Sequence, residues 1–318
     1  MLDSPRAVTT LERILYFKKL DKLADLPAAE LTVIADHAGE RFFPKGGHLF
    51  REGEPVGSVH LLVEGEVEVQ RRGKPLGRFG PGTGLGGLGL FARDTEGWDV
   101  TAIADTLTLE LEADSLFEVF EDRFPILLHV LRTTCRQLLD LLVRREIDPR
   151  RGIPSAPPLP PGGRDLDLVE RIFFLRQMLP FQRSSINALF ELSRGLTQVR
   201  FPPGVTLWRE GDPAPGIYLI LAGSVSAVSE TRGLRFRPGP GYPLGSMEAV
   251  SASPRWYEAV TETPLVALQG SAEALIDVFE DNFEMAMDYL AMVARGVLRI
   301  LEAEEGGGAV GHSLGGRL

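Results

Sequence analysis

The chain repeats itself, and this constrains its fold more than any other feature. Phe43-Pro44-Lys45-Gly46 returns as Phe201-Pro202-Pro203-Gly204. Arg51-Glu52-Gly53-Glu54-Pro55 returns as Arg209-Glu210-Gly211-Asp212-Pro213, and Gly65 as Gly223, all at an offset of 158. Leu85-Gly86 then matches Leu244-Gly245, and Val119-Phe120-Glu121-Asp122 matches Val278-Phe279-Glu280-Asp281, at an offset of 159. An ordered series with one single-residue slip marks a tandem duplication in which one loop differs by a residue. The copies are read as 11–147 and 166–305. Whatever fold the first takes, the second takes too, and each is the size of an ordinary domain.

Composition narrows the class. The 318 residues are 44% hydrophobic and 25% charged, enough apolar material for two cores. Asp and Glu number 44 against 34 Lys and Arg, a formal net charge of −10. That field disfavours a protein that grips phosphate backbones, so no nucleic-acid partner is expected. The single cysteine, Cys135, excludes an intrachain disulfide and a cysteine-built zinc cluster, and suits a reducing compartment. The first ten residues lack the apolar core of a signal peptide, and no run approaches the length of a membrane span. A cytoplasmic protein with no membrane partner is the expectation.

Six prolines between Ile147 and Gly163 predict an extended, semi-rigid linker over 148–165. Its Pro157-Pro158-Leu159-Pro160-Pro161 element is also of a kind that docks aromatic-lined grooves. The Gly-rich end, 306–318, reads as a flexible tail.

Within each copy the pattern changes three times. Leu20, Leu23, Leu26, Leu31 and Ile34 recur at helical spacing. Short strands broken by glycine and proline follow, as in Val59–Val69 and its match Ile217–Val228, and such strands predict a sandwich or jelly roll. A long closing helix ends each copy. In the first, Phe124, Leu127/Leu128, Leu131, Thr134/Cys135, Leu138 and Leu141/Leu142 repeat every 3.5 residues. In the second, Phe283, Met287, Leu290, Ala294, Val297 and Leu301 do the same. About three heptads suffice for a coiled-coil seam. Each closing helix is therefore expected to pack on its own roll, or to pair with its counterpart as an internal pseudo-dimer or in a homodimer.

Taken together, Phe-Pro-x-Gly, Leu-Phe-Arg-Glu-Gly-Glu, the twelve-residue step from Gly53 to Gly65, and Gly-Pro-Gly before Leu-Gly resemble the cyclic-nucleotide-binding domain family. This family includes the catabolite activator proteins and the regulatory subunits of protein kinase A. The resemblance covers most of the chain. It implies a mainly β fold with α (α+β): two eight-stranded β jelly rolls, each flanked by N-terminal helices and a long closing C-terminal helix. It also implies an allosteric ligand, cAMP or cGMP, held where a short helix presents its N-terminal N–H groups to the cyclic phosphate. The family motif there runs Phe-Gly-Glu-(Leu/Ile)-Ala-Leu, then Pro-Arg-x-Ala-Thr-Val. Its glutamate accepts from the ribose 2′-OH and its arginine offsets the phosphate charge.

Copy 1 departs from this pattern. Its motif is Leu85-Gly86-Gly87-Leu88-Gly89-Leu90, with Gly87 in place of the glutamate. Downstream no arginine stands where the family has one, and Glu96 or Trp98 falls near that place. Losing two charge-assisted contacts costs roughly 1.5–3 kcal/mol each, about two to four decades of affinity together. Gly86, Gly87, Leu88 and Trp98 are read as the degenerate equivalents of a ligand site. Copy 2 keeps more. Gly245, Ser246 and Met247 stand in the first motif, with Ser246 replacing the glutamate. Pro254 and Arg255 keep the Pro-Arg pair, so Arg255 is the candidate phosphate arginine. Trp256 and Tyr257 follow, where the family has a small residue in place of Tyr257. Either aromatic would stack on a base or fill the pocket.

No other chemistry stands out. The five histidines (His37, His48, His60, His129, His312) include no His-x-His pair, and no metal site is expected. There is no Gly-x-Ser-x-Gly elbow, and the glycines of 80–89 lack the Lys-Ser/Thr ending of a phosphate loop. No catalytic residues and no enzyme activity are expected, nor is a helix-turn-helix after the closing helix. Two readings follow. In one, this is a regulatory sensor of tandem domains that acts through protein–protein contacts, with cyclic nucleotide in the second domain. In the other, it is a ligand-free degenerate scaffold. A cavity lined by Arg255 favours the first; a Tyr257 ring inside the pocket favours the second.

Overall fold

A computed structural model of the protein describes residues 8–20, 22–150 and 164–305. Most of the Pro-rich linker (151–163) and the Gly-rich tail (306–318) lie outside the described residues.

The first repeat opens with α1 (Thr10–Phe17) and α2 (Ala28–His37). Thr9 caps α1: its hydroxyl accepts from the Glu12 N–H while the Glu12 carboxylate takes the Thr9 N–H, a reciprocal box that satisfies two orphan donors. Eight strands follow: β1 (Gly39–Phe43), β2 (His48–Phe50), β3 (Ser58–Glu64), β4 (Val67–Arg71), β5 (Lys74–Phe79), β6 (Gly84–Leu85), β7 (Asp99–Ala102) and β8 (Thr106–Glu112). They form two four-stranded antiparallel sheets, ordered β1-β8-β3-β6 and β2-β7-β4-β5. β4 shows why the sequence reads as a strand: Val67, Val69 and Arg71 point inward while Glu68 and Gln70 lie nearer solvent, a period of two. The short helix α3 (Gly87–Ala92) interrupts the roll, and α4 (Ala113–Asp122) and α5 (Phe124–Arg144) close the repeat.

The second repeat has the same order. Helices α6 (Leu168–Gln177) and α7 (Ile186–Arg194) precede β9 (Thr197–Phe201), β10 (Thr206–Trp208), β11 (Gly216–Ala222), β12 (Val225–Ser229), β13 (Leu234–Phe236), β14 (Pro243–Leu244), β15 (Glu258–Thr261) and β16 (Leu265–Ser271). Helix α8 (Ser246–Ser251) matches α3, and α9 (Ala272–Asp281) and α10 (Phe283–Glu305) complete it. Its sheets are ordered β14-β11-β16-β9 and β10-β15-β12-β13. The fold is thus two jelly rolls with helices at both ends of each repeat, as the sequence predicts.

The duplicated glycines have steric reasons. Gly65 and Gly223 sit at φ of 88° and 86°, and a Cβ there would lie 2.4 Å from Asp105 O and 2.2 Å from Pro264 O. Only glycine lets the two backbones approach this closely.

The compact units do not coincide with the repeats. Among the described residues, one unit joins those up to Val130 with those from Ala294 on, and the other holds those from Leu131 to Val293. The division runs through α5 and α10, so the second part of each closing helix packs in the unit that holds the other repeat's roll.

Candidate functional site

In the second roll, β14 delivers Gly245 in a left-handed conformation, φ 78°, as the N-cap of α8. Glycine is required there twice over. A Cβ would lie 2.0 Å from Arg255 Nη1 and 3.2 Å from the Trp208 ring, and L side chains avoid that φ. Arg255 is only 3% exposed. Its Nη1 donates to Gly245 O at 2.9 Å, and its Nη2 donates to Gly216 O at the start of β11. Its guanidinium lies 4.0 Å over the Trp208 ring. Nε has no hydrogen-bond partner. The chain's own carbonyls and indole thus occupy the arginine that the sequence offers for a phosphate.

The aromatic residues after it turn inward. Tyr257 is 2% exposed, with ring centroids 4.8 Å from Trp256, 5.0 Å from Phe236 and 5.6 Å from Trp208. Burial pushes its phenol well above the usual tyrosine range. Trp256 is half-buried and stacks on Phe236 at 5.5 Å. Trp208, Phe236 and Tyr257 belong to one core cluster with Ile220, Val225 and Leu265. Ser246 is buried at the start of α8 and accepts from Tyr289 OH at 3.4 Å, while Met247 is half-buried beside it. Glu248 is buried, and desolvation raises its pKa against the pull of Arg255.

An open recess of about 710 Å³ lies at one end of this roll. Arg255, Trp208, Tyr218, Asp212 and Gln269 line it, but none of Gly245, Ser246 or Met247 does.

In the first roll Gly86 caps α3 at φ 89°, and a Cβ there would lie 2.6 Å from both Phe50 and Ser58 O. The backbone settles which residue holds the arginine place. Gly53 N–H donates to Glu96 O at 2.6 Å, as Gly211 N–H donates to Arg255 O at 2.7 Å, so Glu96 matches Arg255 and Trp98 matches Tyr257. Trp98 is 8% exposed and Leu88 4%. With Phe50, Val56, Val69, Leu85, Gly86 and others they leave an apolar cavity of about 20 Å³. That is barely room for one water, with no polar partners to hold it. Gly87 opens α3 and is half-buried.

The cation here comes from another strand. Arg71, at the end of β4, is 2% exposed and lies 5.2 Å over Trp98. It pairs with Asp94 at 3.0 Å, Glu302 at 2.7 Å and Glu96 at 3.4 Å. Glu96 also binds Arg72, and that hydrogen bond is the main cause of its lowered pKa.

Both short helices are tied at their C-termini in the same way. Arg136 of α5 donates from Nε and Nη2 to Ser251 O at 3.2 and 3.1 Å. Arg295 of α10 donates from Nε to Ala92 O at 2.9 Å. Each arginine satisfies a terminal carbonyl and faces the negative end of a helix. Among the described residues no group of His, Cys, Asp or Glu could hold a metal ion. No helix among them is long and apolar enough to cross a membrane.

The structure therefore brings together Gly245, Arg255, Trp256 and Tyr257, and places Ser246 against Tyr289. Sequence reasoning missed Trp208, Phe236 and Arg71. The one available signal was that Trp208 and Phe50 hold the same position after Phe-Pro-x-Gly in the two repeats.

Comparison with known proteins identifies the family. The family model described as cyclic nucleotide-binding domain matches residues 40–123 and again 198–282. A CRP-like cAMP-activated global transcriptional regulator of Mycobacterium tuberculosis is 29% identical over 123 residues, 37% of this chain and 55% of that one. A cGMP-dependent protein kinase of Caenorhabditis elegans is 21% identical over 216 residues, 68% of this chain and 23% of that one. The chain thus spans about half the length of the first of these relatives and under a quarter of the second. Among solved structures, the regulatory subunit of a cAMP-independent protein kinase A from Trypanosoma brucei is 16% identical, with 95% and 93% of the two chains covered and a TM-score of 0.34. With two matches that together cover more than half its length, this chain belongs to the cyclic nucleotide-binding domain family and carries the domain in tandem.

Proposed function

We propose that this chain is a cytoplasmic, non-enzymatic regulatory protein that acts through protein–protein contacts, with both of its ligand pockets closed by its own side chains. One observation carries the reading: the Tyr257 ring is buried in the second roll beside an Arg255 whose donors bind Gly245 O and Gly216 O. The residues do not fit a cyclic phosphate in the family's manner. Arg255 would have to leave two carbonyls and the Trp208 face to reach it. The recess that Arg255 lines is bordered by none of the α8 N-terminal residues, so no phosphate in it meets both groups. In the first roll a carboxylate, Glu96, stands at the arginine place, and Trp98 matches the Tyr257 plug.

The tandem domains keep the family's scaffold, and the regulatory role rests on that. The ligand-driven reading, cAMP or cGMP switching the second domain, is the competing one. A thermal melt with and without millimolar cAMP or cGMP separates them. We expect no change in Tm. A rise that grows with the logarithm of ligand concentration would overturn the closed-pocket reading.

A further inference from the structure

Among the described residues the large, exposed apolar side chains are concentrated in the helices that open each repeat. Leu11 and Leu15 of α1 are 67% and 53% exposed, and Val169 and Phe173 of α6 are 60% and 66% exposed. These are matched pairs at the repeat offset of 158, one helical turn apart on the same face. A cation continues each stripe at the next turn, Lys18 on one helix and Arg176 on the other. The opposite faces are used internally. Phe17 and Phe174 are buried, and Arg13 and Arg171 reach back to Ala38 O and Leu196 O at 2.6 and 2.8 Å.

The charge on the outward stripes is one-sided. Glu12 serves its own capping box, and Glu170 serves its box and Arg164. Arg176 Nη2 donates to Ser184 O at 3.0 Å, and among the described residues no carboxylate pairs with it or with Lys18. In a chain of net charge −10, two apolar stripes that each end in an exposed cation without a carboxylate partner stand out.

We propose that α1 and α6 are two equivalent docking sites for an amphipathic, acidic helix of a partner protein. Its apolar face covers Leu11 and Leu15, or Val169 and Phe173, and an acidic side chain one turn along meets Lys18 or Arg176. This is the helix-to-helix form of recognition in which anchors at i and i+4 carry the contact. A single cation per stripe favours a protein over a lipid surface, because interfacial helices carry many Lys and Arg on their polar face. The inference rests on the reading that the chain acts through protein contacts and names the class of contact.

The test uses the full chain and a synthetic helical peptide with leucines at i, i+3, i+4 and i+7 and glutamates elsewhere. Titration calorimetry is expected to give two sites per chain. Leu11→Asp with Leu15→Asp removes one, Val169→Asp with Phe173→Asp removes the other, and each loss is about tenfold or more in affinity. The same peptide with lysines for glutamates does not bind. All four substitutions are at exposed positions, so melting curves should match wild type. Equal binding of the lysine peptide, or a stoichiometry unchanged by both double variants, would overturn the proposal. So would the same residues driving association with phosphatidylserine vesicles or with a second copy of this chain. Failure here leaves the cyclic-nucleotide melt unaffected, so it is distinguishable from failure of the closed-pocket reading.

Discussion

Tyr257 and His60 show how single residues decide what the rolls can do. Tyr257 stands where the family motif has a small residue, and its ring is buried in the core of the second roll. Its truncation to alanine is expected to cost about 3–5 kcal/mol, in line with other large-to-small aromatic changes, read as a lower denaturant midpoint. A loss under about 1 kcal/mol would place the ring outside the core. His60 lies at the matching position to Tyr218 but is 1% exposed. Its Nε2 is 3.0 Å from Ser58 Oγ and its Nδ1 3.0 Å from Thr108 Oγ1. Burial, aided by the charge of Arg41, lowers its pKa to about 4. Glu110 at 3.5 Å does not reverse this. The unfolded chain therefore takes up a proton near pH 6.5 that the fold refuses. Stability from His60 is present above that pH and is lost as pH falls toward 4. Against His60→Gln, the wild-type stability curve should be steeper in this window, by up to about 1.4 kcal/mol per pH unit. Parallel curves would contradict the assignment.

At the scale of elements, the short helices α3 and α8 are each held by an arginine from a closing helix. Both are six residues long and end in a left-handed, non-glycine C-cap, Arg93 at φ 54° and Ala252 at φ 53°. Such ends are strained and need outside support. Arg136→Ala and Arg295→Ala are expected to cost about 0.5–1.5 kcal/mol each. Hydrogen exchange should quicken in α8 for the first and in α3 for the second. Exchange that quickens elsewhere, or nowhere, would remove the clamp.

The elements also show what was legible in the sequence. Strand alternation, the repeat, Gly86 and Gly245 are local signals, and each could be read before any coordinates. The Tyr257 and Trp98 plugs were visible as large residues at a small-residue place, but their direction was not. Trp208 was marked only by sharing the place of Phe50 in the repeat, while Arg71 and the divided closing helices were illegible, because each depends on contacts far along the chain. Arg71, for example, meets Asp94, Glu96 and Glu302 from other elements.

Across the whole molecule, the two copies of the domain depart from the family's site motif by different substitutions. The first replaces the arginine by Glu96 and draws a cation from β4. The second keeps the arginine and turns it onto backbone carbonyls. Both place a large aromatic, Trp98 or Tyr257, at one position of the roll. The two copies share the duplicated fold, the capped opening helices and the outward apolar stripes, and the proposed function puts the working surface there rather than in the pockets. Calorimetric titration of the wild-type protein with cAMP and with cGMP, repeated on Arg255→Lys, tests this most directly. The account expects no binding heat from either ligand up to millimolar concentration, with wild type and variant alike. Saturable micromolar binding to wild type that weakens tenfold or more in Arg255→Lys would contradict it and restore the second roll as a cyclic-nucleotide sensor.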